Sequence, residues 1–148
     1  MQERLVSSEG LRLDDRPISP ASDAEAVEEI VRRSGTSFYW AMRLLPAIKR
    51  RAMFAVYAFC REVDDIADDG DTLTAKRIGL ADWRDEVDRL FVGRPRRPIT
   101  RQLLPALSTF GLQKADFVAI IDGMEMDAAD RLRIADMSEL ALYCDRVA

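Results

Sequence analysis

The sequence has no histidine and only two cysteines in 148 residues. Without histidine there is no Ser–His–Asp triad, no Cys–His pair and no HExxH zinc helix. Cys60 and Cys144 lie far apart and form no CxxC, which excludes a zinc ribbon or thioredoxin-type motif and leaves a single disulfide between them open. Two sparse thiols fit a reducing compartment. No apolar run approaches the ~20 residues of a membrane span. Residues 1–16 mix Glu, Arg and Asp without an apolar core, so no secretory signal is expected there. Cytoplasmic residence is the expectation that follows. An excess of base is missing too. The 22 Lys and Arg against 26 Asp and Glu give a net charge of −4, which argues against a nucleic-acid surface. What the chain does have is 48% apolar residues. A chain of this length buries roughly 70% of its unfolded surface, enough for a real core.

Proline and glycine divide the chain into helical stretches. Residues 1–22 are polar, carry Pro17 and Pro20, and read as a disordered lead-in. Asp23 is a candidate N-cap for a helix that runs to Arg33 and breaks at Ser34 and Gly35. A short aromatic stretch over 38–45 stops at Pro46, and a long helix follows over 47–68. An amphipathic helix over 74–92 places Leu80, Trp83, Val87, Leu90 and Phe91 near one face. Pro95 and Pro98 mark 93–98 as a loop. A helix over 100–110, irregular around Pro105, ends at Gly111. Further helices are expected over 113–128 and after an Asp136–Glu139 capping box. No segment alternates as a strand does, so the class is all-α.

The segment 57–69 carries the most chemistry. From Glu62 to Asp71 there are six acids and no base. At ~100° per residue, with Tyr57 at zero, Arg61 falls near about 40°, Asp64 near about −20° and Asp68 near about 20°. These four side chains share one stripe, with Asp65 and Asp69 at its edge. Like charges at i,i+4 and anions at a helix C-terminus are both unfavourable. Such a helix end is either solvated or neutralised by a cation. Carboxylates one turn apart can each give a divalent ion one ligand, and magnesium accepts partial shells beside phosphate and water. Arg61 on the same stripe can hold a phosphate. An EF-hand starting at Asp65 fails, because Ala67 and Lys76 stand where acids are needed.

The run RSGTSFYWAMRLLP at 33–46, followed by AMFAVYAFCREVDDIAD at 52–68, resembles the squalene/phytoene synthase family, most of all bacterial members of hopanoid pathways. DGMEMD at 122–127 and YCDRVA at 143–148 match the same group. The resemblance covers roughly residues 24–148. It implies an all-α isoprenoid synthase fold in which two aspartate-rich motifs on facing helices bind magnesium ions, which hold the diphosphate of a prenyl substrate. The reaction it implies is a magnesium-dependent prenyl transfer, the head-to-head condensation of two farnesyl diphosphates to presqualene diphosphate. Phytoene synthase or hydroxysqualene synthase chemistry, or a non-catalytic helical interaction module, are the alternatives.

By the same resemblance, Asp64 and Asp68 are the metal-binding positions of the first motif. Arg61 and Tyr57 are diphosphate-contacting and pocket positions. Ser37 and Phe38 belong to an opening segment that meets diphosphate and prenyl chain. Asp122, Asp127 and Tyr143 line the same central cavity. The family's second aspartate motif lies downstream of 143–148. Residues 23–148 are therefore expected to be a partial domain that exposes apolar helix faces and does not ionise a prenyl diphosphate by itself. Peripheral membrane contact, where the product partitions, is a further implication.

The chemistry fits these residue types. Diphosphate leaves readily only when its developing charge is neutralised, which metal ions and arginine can do. The carbocation left behind needs a dry, aromatic-lined cavity. Phe38 and Tyr57 are candidate walls, while Phe59 and Phe117 read more simply as helix core. Asp82, Asp85 and Asp88, set among Arg84 and Arg89, read as a solvated face. The bases Arg94, Arg96, Arg97 and Arg101 read as a solvated loop.

Overall fold

The computed structural model describes residues 19–69, 72–129 and 137–147. Seven helices follow one another: α1 (Pro20–Arg33), α2 (Phe38–Arg43), α3 (Ala47–Asp68), α4 (Leu73–Phe91), α5 (Pro98–Phe110), α6 (Lys114–Ala128) and α7 (Met137–Val147). The described residues contain no strand, as the sequence pattern predicts. Residues 1–18 and the Asp136 cap position fall outside the described residues.

The start of α1 differs from the expectation. Its N-cap is Ser19, not Asp23. The Ser19 and Ser22 side chains exchange hydrogen bonds with each other's backbone N–H, and Pro20 occupies the first turn, where its missing N–H is no loss. Asp23 is instead buried in that turn. Its carboxylate accepts two parallel hydrogen bonds from Arg101 of α5, at 2.6 and 2.7 Å. Bidentate charge-assisted pairs of this kind are the strong ones.

Helix α5 also begins earlier than the prolines suggest. Pro98 is its first residue rather than the end of a loop. The reason lies on α4. Glu86 is buried, and its carboxylate accepts from the N–H groups of Arg96 (2.7 Å) and Arg97 (2.9 Å) and from the Thr100 hydroxyl. A carboxylate from another helix thus satisfies donors at the start of α5, where the dipole favours an anion. Burial alone would raise the Glu86 pKa, but the Thr100 hydroxyl and the Arg97 and Arg96 amides outweigh it, and the value lies below the usual one. The basic loop is correspondingly not all solvated. Arg97 stacks 4.2 Å over the Trp83 ring and Arg101 holds Asp23, leaving Arg94 and Arg96 exposed. Pro105 sits within a continuous α5, anchored by buried Leu103 and Ala106, and Gly111 ends the helix in the left-handed conformation (φ 65°).

Helix α3 is the centre of the packing, in contact with α1, α2, α4, α5 and α6. Its buried face is Phe54, Ala55, Ala58, Phe59, Val63 and Ala67. The alanines let neighbouring helices approach while the larger residues fill the space between. Phe59 meets Trp83 of α4 and Phe117 of α6 edge-on, with ring centroids 5.3 and 5.1 Å apart. Phe59 and Phe117 are therefore core residues, as the simpler reading holds. With one face of α3 buried in this way, the acidic stripe at its C-terminal end points elsewhere.

Candidate active site

The last two turns of α3 carry Asp64, Asp65 and Asp68, with Asp69 as the C-cap and no base in the final turn. The carbonyl end of the helix dipole therefore meets a group of anions. Asp64 shows the consequence. Its pKa is raised, first by partial burial, then by the charge of Asp68. Arg61 offsets part of this, while Asp65 and Asp127 push further upward. Arg61 is the stripe's own counter-ion, 2.9 Å from Asp65 and 3.7 Å from Asp64. Tyr57, one turn earlier, is half-buried and packs against the core.

Helix α6 contributes Asp127, an exposed side chain whose charge acts on Asp64. Asp122 is separated from it by five residues, about 140° around the helix. The structure places Asp122 against α4, where it and Glu125 (2.7 Å) both accept from Arg84. The two acids thus meet different partners. Asp127 joins the stripe, and Asp122 is neutralised by Arg84 at the α4–α6 contact. Arg84 leaves the solvated face assigned to it, whereas Asp82, Asp85 and Asp88 are exposed.

The α1–α2 connection reaches the same region. Arg33 and Ser34 line, with Arg61, Glu62 and Asp65, a cavity of about 230 Å³. Arg33 is held by Glu29 at 2.8 Å. Ser37 and Phe38 open α2. Both are exposed, Phe38 at 66%, and Ser37 makes no capping bond. Phe38 is therefore not enclosed as a cavity wall within this chain. Tyr143 lies on α7, which packs against α6, and its side chain is outside the described residues.

Whether a magnesium ion fits can be judged from the donors. Among the described residues, no three acidic, cysteine or histidine side chains converge into a set that could hold a metal ion. Asp64 and Asp68 offer two carboxylates one turn apart. Burial and, after it, the charge of Asp68 raise the Asp64 pKa, and a nearby cation opposes both effects. Two carboxylates completed by phosphate oxygens and water suit magnesium.

Sequence reasoning missed two features. Arg84 is the partner of Asp122 and Glu125, and half-buried Glu62 has its pKa raised by burial and by Asp65, against the pull of Arg97. The Arg84 contact leaves no local signal, because its partners lie on a different helix.

A helical assembly centred on α3, with an aspartate stripe at its end, defines an isoprenoid synthase fold. Solved structures agree. The chain is similar to squalene synthase HpnC from Alicyclobacillus acidocaldarius, with TM-score 0.73, 26% identity and 90% of this chain covering 49% of that one. A dehydrosqualene synthase in complex with ligand gives TM-score 0.75 at 30% identity, over 87% of this chain and 44% of that one. A family model described as Squalene/phytoene synthase matches residues 31–148, and the chain belongs to that family. Among curated relatives, presqualene diphosphate synthase of Sinorhizobium fredii is 45% identical over 84% of this chain and 46% of its own length. The enzyme of the same name from Rhodopseudomonas palustris is 51% identical over 77% of this chain and 40% of its own length. The chain thus spans less than half the length of these relatives. Among the described residues, no helix is long and apolar enough to cross a membrane.

Proposed function

We propose that this chain carries the first metal motif of a prenyltransferase that condenses two farnesyl diphosphates head to head into presqualene diphosphate. The observation that carries the reading is the Tyr57–Arg61–Asp64–Asp68 stripe, where burial and the charge of Asp68 raise the Asp64 pKa although Arg61 offsets part of it. The relatives at 45% and 51% identity that bear the name of that activity support the choice of product. Phytoene synthases match at lower identity, 31% for that of Arthrospira platensis.

Asp64 and Asp68 would hold magnesium, which when bound supplies positive charge to a diphosphate leaving group. The protein's own residues do the rest. Arg61 exchanges its pairing with Asp65 for the diphosphate, where a guanidinium makes charge-assisted hydrogen bonds. Asp127 extends the negative field that attracts the cation. Tyr57 presents its ring and hydroxyl beside Arg61. Ser37 and Phe38 meet the head and chain of the substrate, and Tyr143, a residue of α7, is a further substrate-contacting position. Asp122 acts indirectly, fixing α6 against α4 through Arg84. With two metal carboxylates on the stripe, the 148-residue chain binds without turning over.

Calorimetry with a non-hydrolysable farnesyl thiodiphosphate tests the reading. Magnesium-dependent binding that weakens at least tenfold in Asp64→Asn and in Asp68→Asn is expected. Binding indifferent to both substitutions refutes the metal assignment, and clear diphosphate release by this chain alone refutes the half-site.

A further inference from the structure

The two groups of residues given to the substrate are held in place very differently. The acidic stripe belongs to α3, whose other face is buried against the neighbouring helices. Ser37 and Phe38 belong to the start of α2, which has six residues, too few to sustain a helix without tertiary support. Both are exposed, and the Ser37 side chain makes no capping bond. Where these two side chains stand therefore depends on what fixes α2 as a whole.

Two residues of α2 are buried, Tyr39 and Met42. Tyr39 is gripped at both ends. Its ring stacks on Phe54 of α3, with centroids 5.8 Å apart and planes only 5° from parallel. Its hydroxyl donates to Glu28 Oε1 of α1 at 2.9 Å. The same carboxylate oxygen accepts from Arg43, at the end of α2, at 3.0 Å, and lies 3.5 Å from Arg32 of α1. Arg43 also donates to the Tyr39 hydroxyl oxygen at 3.3 Å. A phenyl ring could stack on Phe54 equally well. What the hydroxyl adds is a bond to α1, and a bond to a half-buried carboxylate is of the strong, charge-assisted kind. With one anchor on α3 and a second on α1, the rotation of α2 about its axis is fixed, and Ser37 and Phe38 directly precede the anchored residue.

We propose that Tyr39 and Glu28 are positioning residues for the prenyl diphosphate, their hydroxyl–carboxylate bond setting the rotation of α2 and so the places of Ser37 and Phe38. The inference rests on the substrate contacts given to Ser37 and Phe38 above and adds the residues that set them. Tyr39 is buried and acts through α2, not on the substrate itself. None of the stripe residues takes part.

The test pairs amide hydrogen exchange of the free chain with calorimetric binding of farnesyl thiodiphosphate in magnesium. The variants are Tyr39→Phe, Glu28→Ala, Glu28→Gln and the double Tyr39→Phe/Glu28→Ala, each shown by circular dichroism to be folded at the assay temperature. Tyr39→Phe keeps the ring on Phe54. It should speed exchange over 38–43 about tenfold, leave the core of α3 as in the parent, and weaken binding about tenfold, the size of one hydrogen bond to a charged group. Glu28→Gln keeps an acceptor and should weaken binding less than Glu28→Ala. The double variant should bind no more weakly than Glu28→Ala, as partners in one bond do. A merely structural role would lower the melting temperature and leave the affinity of the folded chain unchanged, which overturns the proposal. Unchanged exchange in α2, or losses that add in the double variant, overturn it as well. Parent binding that needs magnesium but ignores Tyr39→Phe sinks this inference alone. A parent that does not bind sinks the reading of the site and this inference with it.

Discussion

Two sets of carboxylates at helix ends behave in opposite ways. Glu86 is buried, yet its pKa is lowered, because three donors at the start of α5 converge on it. Asp64 is more exposed, and its pKa is raised, first by the burial it does undergo and then by the charges of Asp68, Asp65 and Asp127, against the pull of Arg61. Burial pushes both acids upward, so the difference lies in what else each one meets. The first acid has three donors, and the second has Arg61 at 3.7 Å among like charges. The satisfied carboxylate ties α4 to the start of α5, whereas the acidic cluster is where we propose that a cation binds.

The largest effect should come from removing the satisfied acid. Glu86→Ala leaves the Arg96 and Arg97 amides without their acceptor and should destabilise the chain by about 3 kcal/mol. Urea denaturation monitored by circular dichroism measures it. A loss no larger than that of an exposed acid such as Asp82→Ala would erase the contrast. Next is Arg101→Ala, which strands the buried Asp23 carboxylate and should cost about 2 kcal/mol in the same measurement.

The pH dependence sharpens the comparison, because the two acids have opposite signs. Folded Glu86 binds protons less readily than in the unfolded chain. Its stabilisation is complete above the usual carboxylate range and is lost as pH falls through its lowered value. Folded Asp64 binds protons more readily. Its penalty is absent below the usual aspartate value and complete once pH rises above its raised value. On acidification, the advantage of Asp64→Asn over the parent should fade first. The deficit of Glu86→Gln should persist to lower pH. Parallel curves for the two variants would contradict the assignment.

The smallest effect is on stability at neutral pH. Asp64→Asn relieves like-charge repulsion and should stabilise the chain by about 0.5 kcal/mol. A thermal melt that instead falls by several degrees would make Asp64 a structural residue.

The sequence reveals these two regions to different extents. The limits of α3 are legible because Pro46 precedes it and the acids crowd its end, and the stripe follows from helical period alone. The start of α5 is not, because Pro98 reads as a breaker until Glu86, on another helix, supplies the missing acceptor. For the same reason Asp23 passes for an N-cap when its carboxylate is committed to Arg101. Asp122 and Asp127 look equivalent within DGMEMD, and only the packing of α6 between α3 and α4 sends one to the stripe and the other to Arg84. Local rules describe helices well. They fail where a side chain completes a distant helix end.

The most direct test of the unsatisfied stripe is magnesium titration of farnesyl thiodiphosphate binding, measured calorimetrically for the parent chain, Asp64→Asn and Asp68→Asn. Binding that requires magnesium in the parent, and weakens at least tenfold in each variant while each remains folded, is the expected result. Binding that ignores magnesium, or that both variants retain, would contradict it and leave the stripe as a solvated helix end.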